Sequence, residues 1–194
     1  MEFPQITTQE VFDRIPKMSL EANAEFHWNN VLYDQGICEY EKTRISGGIP
    51  DSIIRYYNSD KSRFVWLIGE YKSDSKNTAF TESIIQLLMY LGNFFYDTNP
   101  LGLDDFAGVY TASPKYFMFI PAKNIFGVME KFEYIWRKHF REAPCDAYKH
   151  DDIKQFQKDN WDALSKDCEI YTDGGNCGRL DLIIKNIYKE WNLQ

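Results

Sequence analysis

The order of its apolar runs constrains the fold of this 194-residue chain more than any other feature. Runs with the length and composition of β-strands lie at 37–45, 49–57, 64–71, 106–111 and 116–120. Segments with helical spacing of apolar residues, or with helix start signals, lie at 7–16, 19–33, 81–96, 121–140, 151–164 and 180–191. The order α, β-β-β, α, β-β, α with trailing helices predicts an α/β or α+β fold built on one mixed sheet.

Turn signals and a change in composition divide the predicted fold into three parts. Residues 1–18 are an N-terminal helical extension, which the capping box Thr7-Thr8-Gln9-Glu10 opens. Residues 19–142 form the core that contains the predicted strands. After Pro144 the composition turns polar, so residues 143–194 are predicted to be a helical appendage packed on the core.

The composition indicates a protein with a filled core and no membrane segment. Hydrophobic residues make up 44% of the chain and aromatic residues 16%. No apolar run approaches the ~20 residues of a membrane-spanning helix, and the N-terminal region lacks the apolar centre of a signal peptide. We therefore expect an intracellular protein, cytoplasmic or nuclear. The cysteines match no zinc-binding spacing and are expected to be free thiols: Cys38, Cys145, Cys168 and Cys177.

The charge balance does not favour non-specific binding to nucleic acid. The formal net charge is −7, whereas such binding depends on neutralisation of phosphates by Lys and Arg. The segment 115–142 is an exception, with six Lys or Arg residues against three Glu residues. This segment predicts a locally basic face.

Two short motifs place charged residues at the ends of adjacent predicted strands. Pro50-Asp51 opens one apolar run, and Glu70-Tyr71-Lys72 closes the next. Side chains alternate along a strand, so Glu70 and Lys72 point to one side of the sheet and Tyr71 to the other. If the two strands are antiparallel, the start of the first lies beside the end of the second. Asp51 and Glu70 are therefore expected to meet at one end of the sheet.

These residue types suit metal-dependent phosphodiester hydrolysis. Two carboxylates, with a backbone carbonyl such as that of Tyr71, are the oxygen ligands that Mg²⁺ or Mn²⁺ prefers. A bound cation of this kind lowers the pKa of water and stabilises charge on phosphate oxygens. Lys72 would add positive charge close to the attacking water or the transition state.

The motifs resemble those of the PD-(D/E)XK nuclease superfamily. Pro50-Asp51, a gap of eighteen residues and Glu70-Tyr71-Lys72 match its signature, and the αβββαβ order matches its restriction-endonuclease-like core over residues 19–140. The following helix carries Gln86-Leu87-Leu88-Met89-Tyr90, which is similar to the QxxxY element of the RecB-like and λ-exonuclease-like branches. Gln86 and Tyr90 are four residues apart and share a helix face.

The resemblance implies a metal-dependent nuclease that acts on DNA or RNA. It implies Asp51, Glu70 and the Tyr71 carbonyl as metal ligands, Lys72 as the residue that assists the water, and Gln86 and Tyr90 as residues that position Lys72 and the substrate. Lys76 is a further candidate for a phosphate contact.

The family usually adds a ligand from the first core helix, and three residues are candidates for it. Glu25 is favoured, then Glu21, then His27. Glu21 and Glu25 share a face, whereas His27 lies about 200° round the helix from Glu25.

Two other interpretations of the same residues remain open. One is a catalytically inactive protein of this fold that binds nucleic acid, a protein partner or a second copy of itself. The other is an unrelated α+β interaction domain, in which Asp51 belongs to a turn and Glu70 and Lys72 form a surface pair. If Asp51 and Glu70 lie close together, the nuclease and its inactive relative both remain possible, whereas the unrelated domain predicts that they lie apart.

Overall fold

The computed structural model describes residues 3–16, 20–41, 49–73, 79–96 and 103–194, which form a mixed α/β fold with a six-stranded sheet. The strands are β1 (Ile37–Glu41), β2 (Ser52–Tyr57), β3 (Phe64–Tyr71), β4 (Phe106–Ala112), β5 (Tyr116–Pro121) and β6 (Glu169–Thr172). The helices are α1 (Thr8–Arg14), α2 (Glu21–Tyr33), α3 (Ala79–Tyr96), α4 (Ala122–His139), α5 (Pro144–Ala147), α6 (Asp151–Asp159), α7 (Trp161–Ser165) and α8 (Leu180–Glu190). The predicted fold class, one sheet with helices, is confirmed.

The sheet follows chain order from β1 to β6. Neighbouring strands are antiparallel except for β3 and β4, which are parallel. A parallel pair needs a crossover, and α3 provides it. The predicted antiparallel arrangement of the first three strands is therefore confirmed for the described residues. The description of β1 ends at Glu41, so the rest of the strand predicted at 37–45 lies outside the described residues.

Helices cover both faces of the sheet. One face packs against α1, α2 and α8, and Val65, Leu67 and Tyr71 of β3 belong to that cluster. The other face packs against α3, α4, α6 and α7, and Trp66 and Ile68 of β3 belong to it. Because both sides of β3 are buried, the strand is apolar almost throughout. The same alternation directs Glu70 to the face that α3 covers.

The C-terminal part of the chain differs from the sequence prediction in two respects. Residues 169–172 form β6, which pairs with β5 at the edge of the sheet, whereas only helices were expected after Pro144. All four β6 residues are partly or fully exposed, so they show no alternating pattern from which a strand could be predicted. The helix expected at 151–164 is interrupted at Asn160, whose side chain donates to the Phe156 carbonyl at 2.8 Å.

Two expectations from composition can be compared with the structure. All four cysteines have free thiols, which confirms the prediction from their spacing. Among the described residues, no helix combines the length and the apolar character needed to cross a bilayer.

Gly69 lets the ring of Tyr110 lie against β3, and its replacement should destabilise the fold. A Cβ atom at Gly69 would lie 2.1 Å from Cζ of Tyr110, which is almost fully buried. We expect Gly69→Ala to lower the free energy of unfolding by about 1–3 kcal/mol, because the ring must move out of a packed core. Urea denaturation measures this change.

Gly127→Ala on α4 is the matched control. No atom lies within 4 Å of a Cβ at Gly127, so the substitution should stabilise the helix by up to about 1 kcal/mol. Equal effects of the two substitutions would contradict the close approach of Tyr110 to Gly69.

Candidate active site

Asp51 and Glu70 lie at the same end of two paired strands. Ser52 pairs with Gly69 in the β2–β3 register, so one further step places Asp51 opposite Glu70. The Tyr71 amide donates a hydrogen bond to Oδ2 of Asp51 at 2.8 Å. The aspartate side chain thereby extends the contact between the two strands beyond their last backbone pair. The predicted juxtaposition of Asp51 and Glu70 is present.

Lys72 forms a buried ion pair with Glu70. Its Nζ lies 2.6 Å from Oε1 of Glu70, and the two side chains are 12% and 5% exposed. The Lys72 amide also donates to the Ala112 carbonyl at 3.0 Å, which continues the pairing of β3 with β4. The backbone therefore fixes Lys72, although it lies one residue beyond the end of β3.

The electrostatics of this pair show an excess of negative charge. Burial, followed by the nearby Asp51 carboxylate, raises the pKa of Glu70 to about 8, and Lys72 offsets this only in part. Burial would lower the pKa of Lys72, but the charges of Glu70, Glu21 and Asp51 outweigh it and raise that pKa. Lys72 therefore remains an ammonium group. Three carboxyl groups share this one ammonium group, so metal-free Glu70 keeps a proton below a pH of about 8, and a bound cation would take the place of that proton.

Glu21, at the start of α2, is the first-helix carboxylate that acts on this site. Burial is the largest cause of the raised pKa of Glu21, and the Asp51 carboxylate raises it further. The Lys72 ammonium group and a hydrogen bond from the Ser73 backbone lower that pKa in part. Glu21 also contributes to the pKa shifts of Glu70 and Lys72.

The sequence interpretation favoured Glu25 for the first-helix position, and the structure changes that order. Oε1 of Glu25 lies 3.2 Å from the Tyr40 hydroxyl, one helical turn further along α2 than Glu21. The ring of His27 packs edge-on against Phe26. Glu21 is therefore the candidate whose charge acts on Glu70 and Lys72, and the identity of the first-helix ligand stays a prediction.

Gln86 and Tyr90 lie on α3, which covers the same face of β3 as Glu70. Gln86 is 5% exposed, and its Oε1 has no hydrogen-bond partner among the residues that the structure describes. The Tyr90 hydroxyl donates to the Ile49 carbonyl at 3.1 Å. Burial, followed by the charges of Glu70 and Asp51, raises the pKa of Tyr90, so its ring lies close to both carboxylates. The predicted Lys76 lies outside the described residues.

A chain of hydroxyl groups on the opposite face of the sheet supports the site. The Tyr71 hydroxyl donates to Oδ1 of Asn29 at 2.5 Å and lies 2.8 Å from the Tyr110 hydroxyl. The Tyr110 hydroxyl donates in turn to Oγ of Ser52 at 2.5 Å. Sequence reasoning placed Tyr71 on this face but missed its partners. The one local signal in the sequence was Gly69, which precedes Glu70 in a buried strand and allows the Tyr110 ring to approach.

Tyr40 is a second residue that sequence reasoning missed. Its hydroxyl donates to the backbone carbonyl of Asp51 at 2.7 Å, which ties β1 to the residue that opens β2. The same hydroxyl contacts Glu25, so this tyrosine joins the start of β2 to α2. Nothing in the sequence around Tyr40 indicates this role, because it depends on the pairing of β1 with β2.

The donor set at this end of the sheet fits a hard divalent cation. Oε2 of Glu70 is buried and, like Oε1 of Gln86, has no hydrogen-bond partner among the described residues. Such buried acceptors are costly unless a ligand, water or ion satisfies them. The carboxylates of Asp51 and Glu21 raise the pKa of Glu70, and a cation between them would relieve that repulsion. Oxygen donors of this kind suit Mg²⁺ or Mn²⁺.

Comparison of the chain with models of known protein families, with curated proteins and with solved structures gives no significant match. The likeness to PD-(D/E)XK nucleases is therefore one of motif spacing and strand order. The chain's own residues carry the functional interpretation.

Mn²⁺ should stabilise the protein more strongly as the pH rises. Glu70 has a pKa of about 8 in place of its ordinary 4.5, so the metal-free native state holds a proton that the unfolded chain releases. Without metal, the free energy of unfolding should therefore fall as the pH rises from about 4.5 to about 8. Because a cation binds the ionised carboxylate, the increase in Tm on addition of Mn²⁺ should grow over the same range. Thermal unfolding with and without Mn²⁺ measures both effects.

Glu70→Gln should remove this part of the pH dependence and the growing effect of Mn²⁺. Glu130→Gln, at an exposed position on α4, is the matched control and should retain both. An Mn²⁺-induced shift that is independent of pH in the unsubstituted protein would contradict the assignment of Glu70 to the cation site.

Proposed function

We propose that this chain is a Mg²⁺- or Mn²⁺-dependent nuclease that hydrolyses phosphodiester bonds of DNA or RNA. The observation that carries the proposal is the buried Lys72 paired with Glu70, with Asp51 opposite on the next strand. Buried charges are costly, and they cluster where a charged ligand must be bound. A divalent cation would complement the carboxylates of Asp51 and Glu70, and a phosphate diester would complement the ammonium group of Lys72.

Three carboxylates are available to hold the cation. Asp51 and Glu70 come from the paired ends of β2 and β3, and Glu21 comes from the first turn of α2. The Tyr71 carbonyl is a further candidate oxygen ligand. When bound, the cation would lower the pKa of a coordinated water and offset charge on the phosphate oxygens.

Lys72 supplies a fixed positive charge to the same place. Its raised pKa keeps it protonated, so it can orient a water molecule or stabilise negative charge that develops on the phosphate. The amide group of Gln86 and the Tyr90 hydroxyl, on the covering helix, would position the substrate phosphate. Both are buried groups whose geometry the packing of α3 fixes before a substrate binds.

The second candidate function is non-catalytic binding of nucleic acid or of a protein partner. Its support is the charge distribution: the net charge is −7, and three of the six basic residues in segment 115–142 are paired with acids. Those three are Lys123, Arg137 and Lys138. Among the described residues, at least half of the basic side chains expected to form a basic face are thus paired with acids. This distribution gives little support to recognition of a long nucleic acid by charge, so within the second candidate function it favours a protein partner.

Cleavage assays distinguish the two functions. We expect the protein with Mn²⁺ to cleave at least one of single- and double-stranded DNA and RNA. Lys72→Ala and Asp51→Asn should each lower the cleavage rate by about 10²–10³-fold, because each removes a charge that acts on the reacting phosphate or on the cation. Gel analysis of labelled substrates gives the rates.

Lys61→Ala is the matched control, because Lys61 is an exposed lysine that pairs with Glu39. It should cleave at the rate of the unsubstituted protein. Circular dichroism and Tm show whether Lys72→Ala remains folded, and Lys72→Arg provides a second variant if it does not. Cleavage that survives in folded Lys72 variants would contradict the nuclease proposal. Binding of Mn²⁺ without any cleavage would favour the non-catalytic function.

A further inference from the structure

A second cluster of potential metal ligands lies where α4 turns towards α6, away from the β2–β3 end of the sheet. Ligand atoms of His139, Glu142 and His150 all lie within 4.8 Å of one another. Nδ1 of His139 is 3.1 Å from Oε1 of Glu142, and Nε2 of His150 is 2.5 Å from Oε2 of the same carboxylate. One carboxylate therefore faces a nitrogen atom from each of two imidazole rings.

Asp152 determines which nitrogen of His139 carries the hydrogen. Nε2 of His139 lies 3.1 Å from Oδ2 of Asp152, and that oxygen also accepts from Nζ of Lys138 at 2.7 Å. A carboxylate can only accept hydrogen bonds, so Nε2 of His139 must be the donor. The lone pair of a neutral His139 is then on Nδ1 and points at Glu142.

The contact between His139 and Glu142 requires a positive charge. A lone pair on Nδ1 of His139 and the oxygen of Glu142, 3.1 Å apart, would repel each other unless a proton or a metal ion joins them. His139 is only 4% exposed, so solvent does little to weaken that repulsion. His150, whose ring centroid is 4.1 Å from that of His139, can donate from Nε2 to the other oxygen of the same carboxylate while its ring is neutral.

We propose that His139, Glu142 and His150 bind a divalent cation of the zinc class, with Asp152 orienting the His139 ring. One cation would take the place of the proton that the contact between Nδ1 of His139 and Glu142 otherwise requires. Imidazole nitrogens favour zinc and similar transition metals, whereas Mg²⁺ prefers oxygen ligands. A carboxylate that holds the other ring nitrogen is the usual support of a metal-binding histidine.

The access route and one of the two ligand separations agree with this assignment. Neighbouring ligands of a tetrahedral zinc ion with bonds of ~2 Å are ~3.3 Å apart, close to the 3.1 Å between His139 and Glu142. The 2.5 Å between His150 and Glu142 is a hydrogen-bond distance, which a bound cation would have to lengthen. Glu142 and His150 are 39% and 38% exposed, so a cation can reach them from solvent. Three protein ligands leave the fourth position to water. The site would tie the end of α4 to the start of α6.

Zinc titration with NMR detection of the three histidine rings tests the proposal. The experiment uses the Asp51→Asn/Glu70→Gln variant, so that the separate carboxylate site cannot contribute. We expect one zinc ion per chain by equilibrium dialysis. The ring C–H signals of His139 and His150 should shift, and those of His27 on α2 should not. His150→Gln and Glu142→Gln should each weaken binding by at least about tenfold.

His27→Gln is the matched control and should bind zinc with unchanged affinity. Because His150 and Glu142 are partly exposed, their substitution tests the site without emptying a buried position. Histidine signals that respond to pH but not to zinc would overturn the proposal, and the positive charge would then be protons alone. Zinc binding that His150→Gln and Glu142→Gln leave unchanged would overturn it as well. Neither result depends on whether the protein cleaves nucleic acid.

Discussion

The buried ion pair between Lys72 and Glu70 is the constraint on which the rest of the structure depends. Transfer of the Lys72 ammonium group from water costs several kcal/mol, as does transfer of the Glu70 carboxylate when it is ionised, and an apolar pair of similar volume is often at least as stable. The preceding positions on the same face, Trp66 and Ile68, are apolar and belong to the core beneath α3. Packing therefore gives no reason for charge at the next two positions, which argues that the pair is retained for binding a charged ligand.

The position of Asp51 depends on both faces of the sheet. Its carboxylate accepts from the Tyr71 amide, while the Tyr71 ring lies in the core on the opposite face. There the Tyr71 hydroxyl contacts Asn29 of α2 and Tyr110 of β4. The helix that contributes Glu21 is thus bonded to the residue that anchors Asp51. A change in the packing of α2 would move two of the three carboxylates together.

Much of this arrangement could be predicted from the sequence, because it depends on local rules. The alternation of side chains along β3 and the antiparallel β2–β3 pair were enough to bring Asp51 beside Glu70. The choice between Glu21 and Glu25 could not be predicted, because both lie on one face of α2. The position of α2 over the sheet decides which of the two lies nearer Glu70. Buried contacts fix that position, and one of them is the hydrogen bond from Nε1 of Trp28 to a carbonyl of the β4–β5 turn at 3.0 Å. Strand β6 was missed for a related reason, since its partner β5 lies far away in the sequence.

The first cluster offers only oxygen atoms as potential ligands, whereas the second adds two imidazole nitrogens to one carboxylate, and the short helix α5 lies between Glu142 and His150 in the chain. Helix α5 packs against α3, the helix that carries Gln86 and Tyr90. Glu142 precedes α5 in the chain and His150 follows it, and their side chains are hydrogen-bonded to each other. A cation bound by Glu142 and His150 would restrain both ends of α5, and with them the surroundings of Tyr90. On this view, the nitrogen site would have an architectural role, while the oxygen site would carry the chemistry.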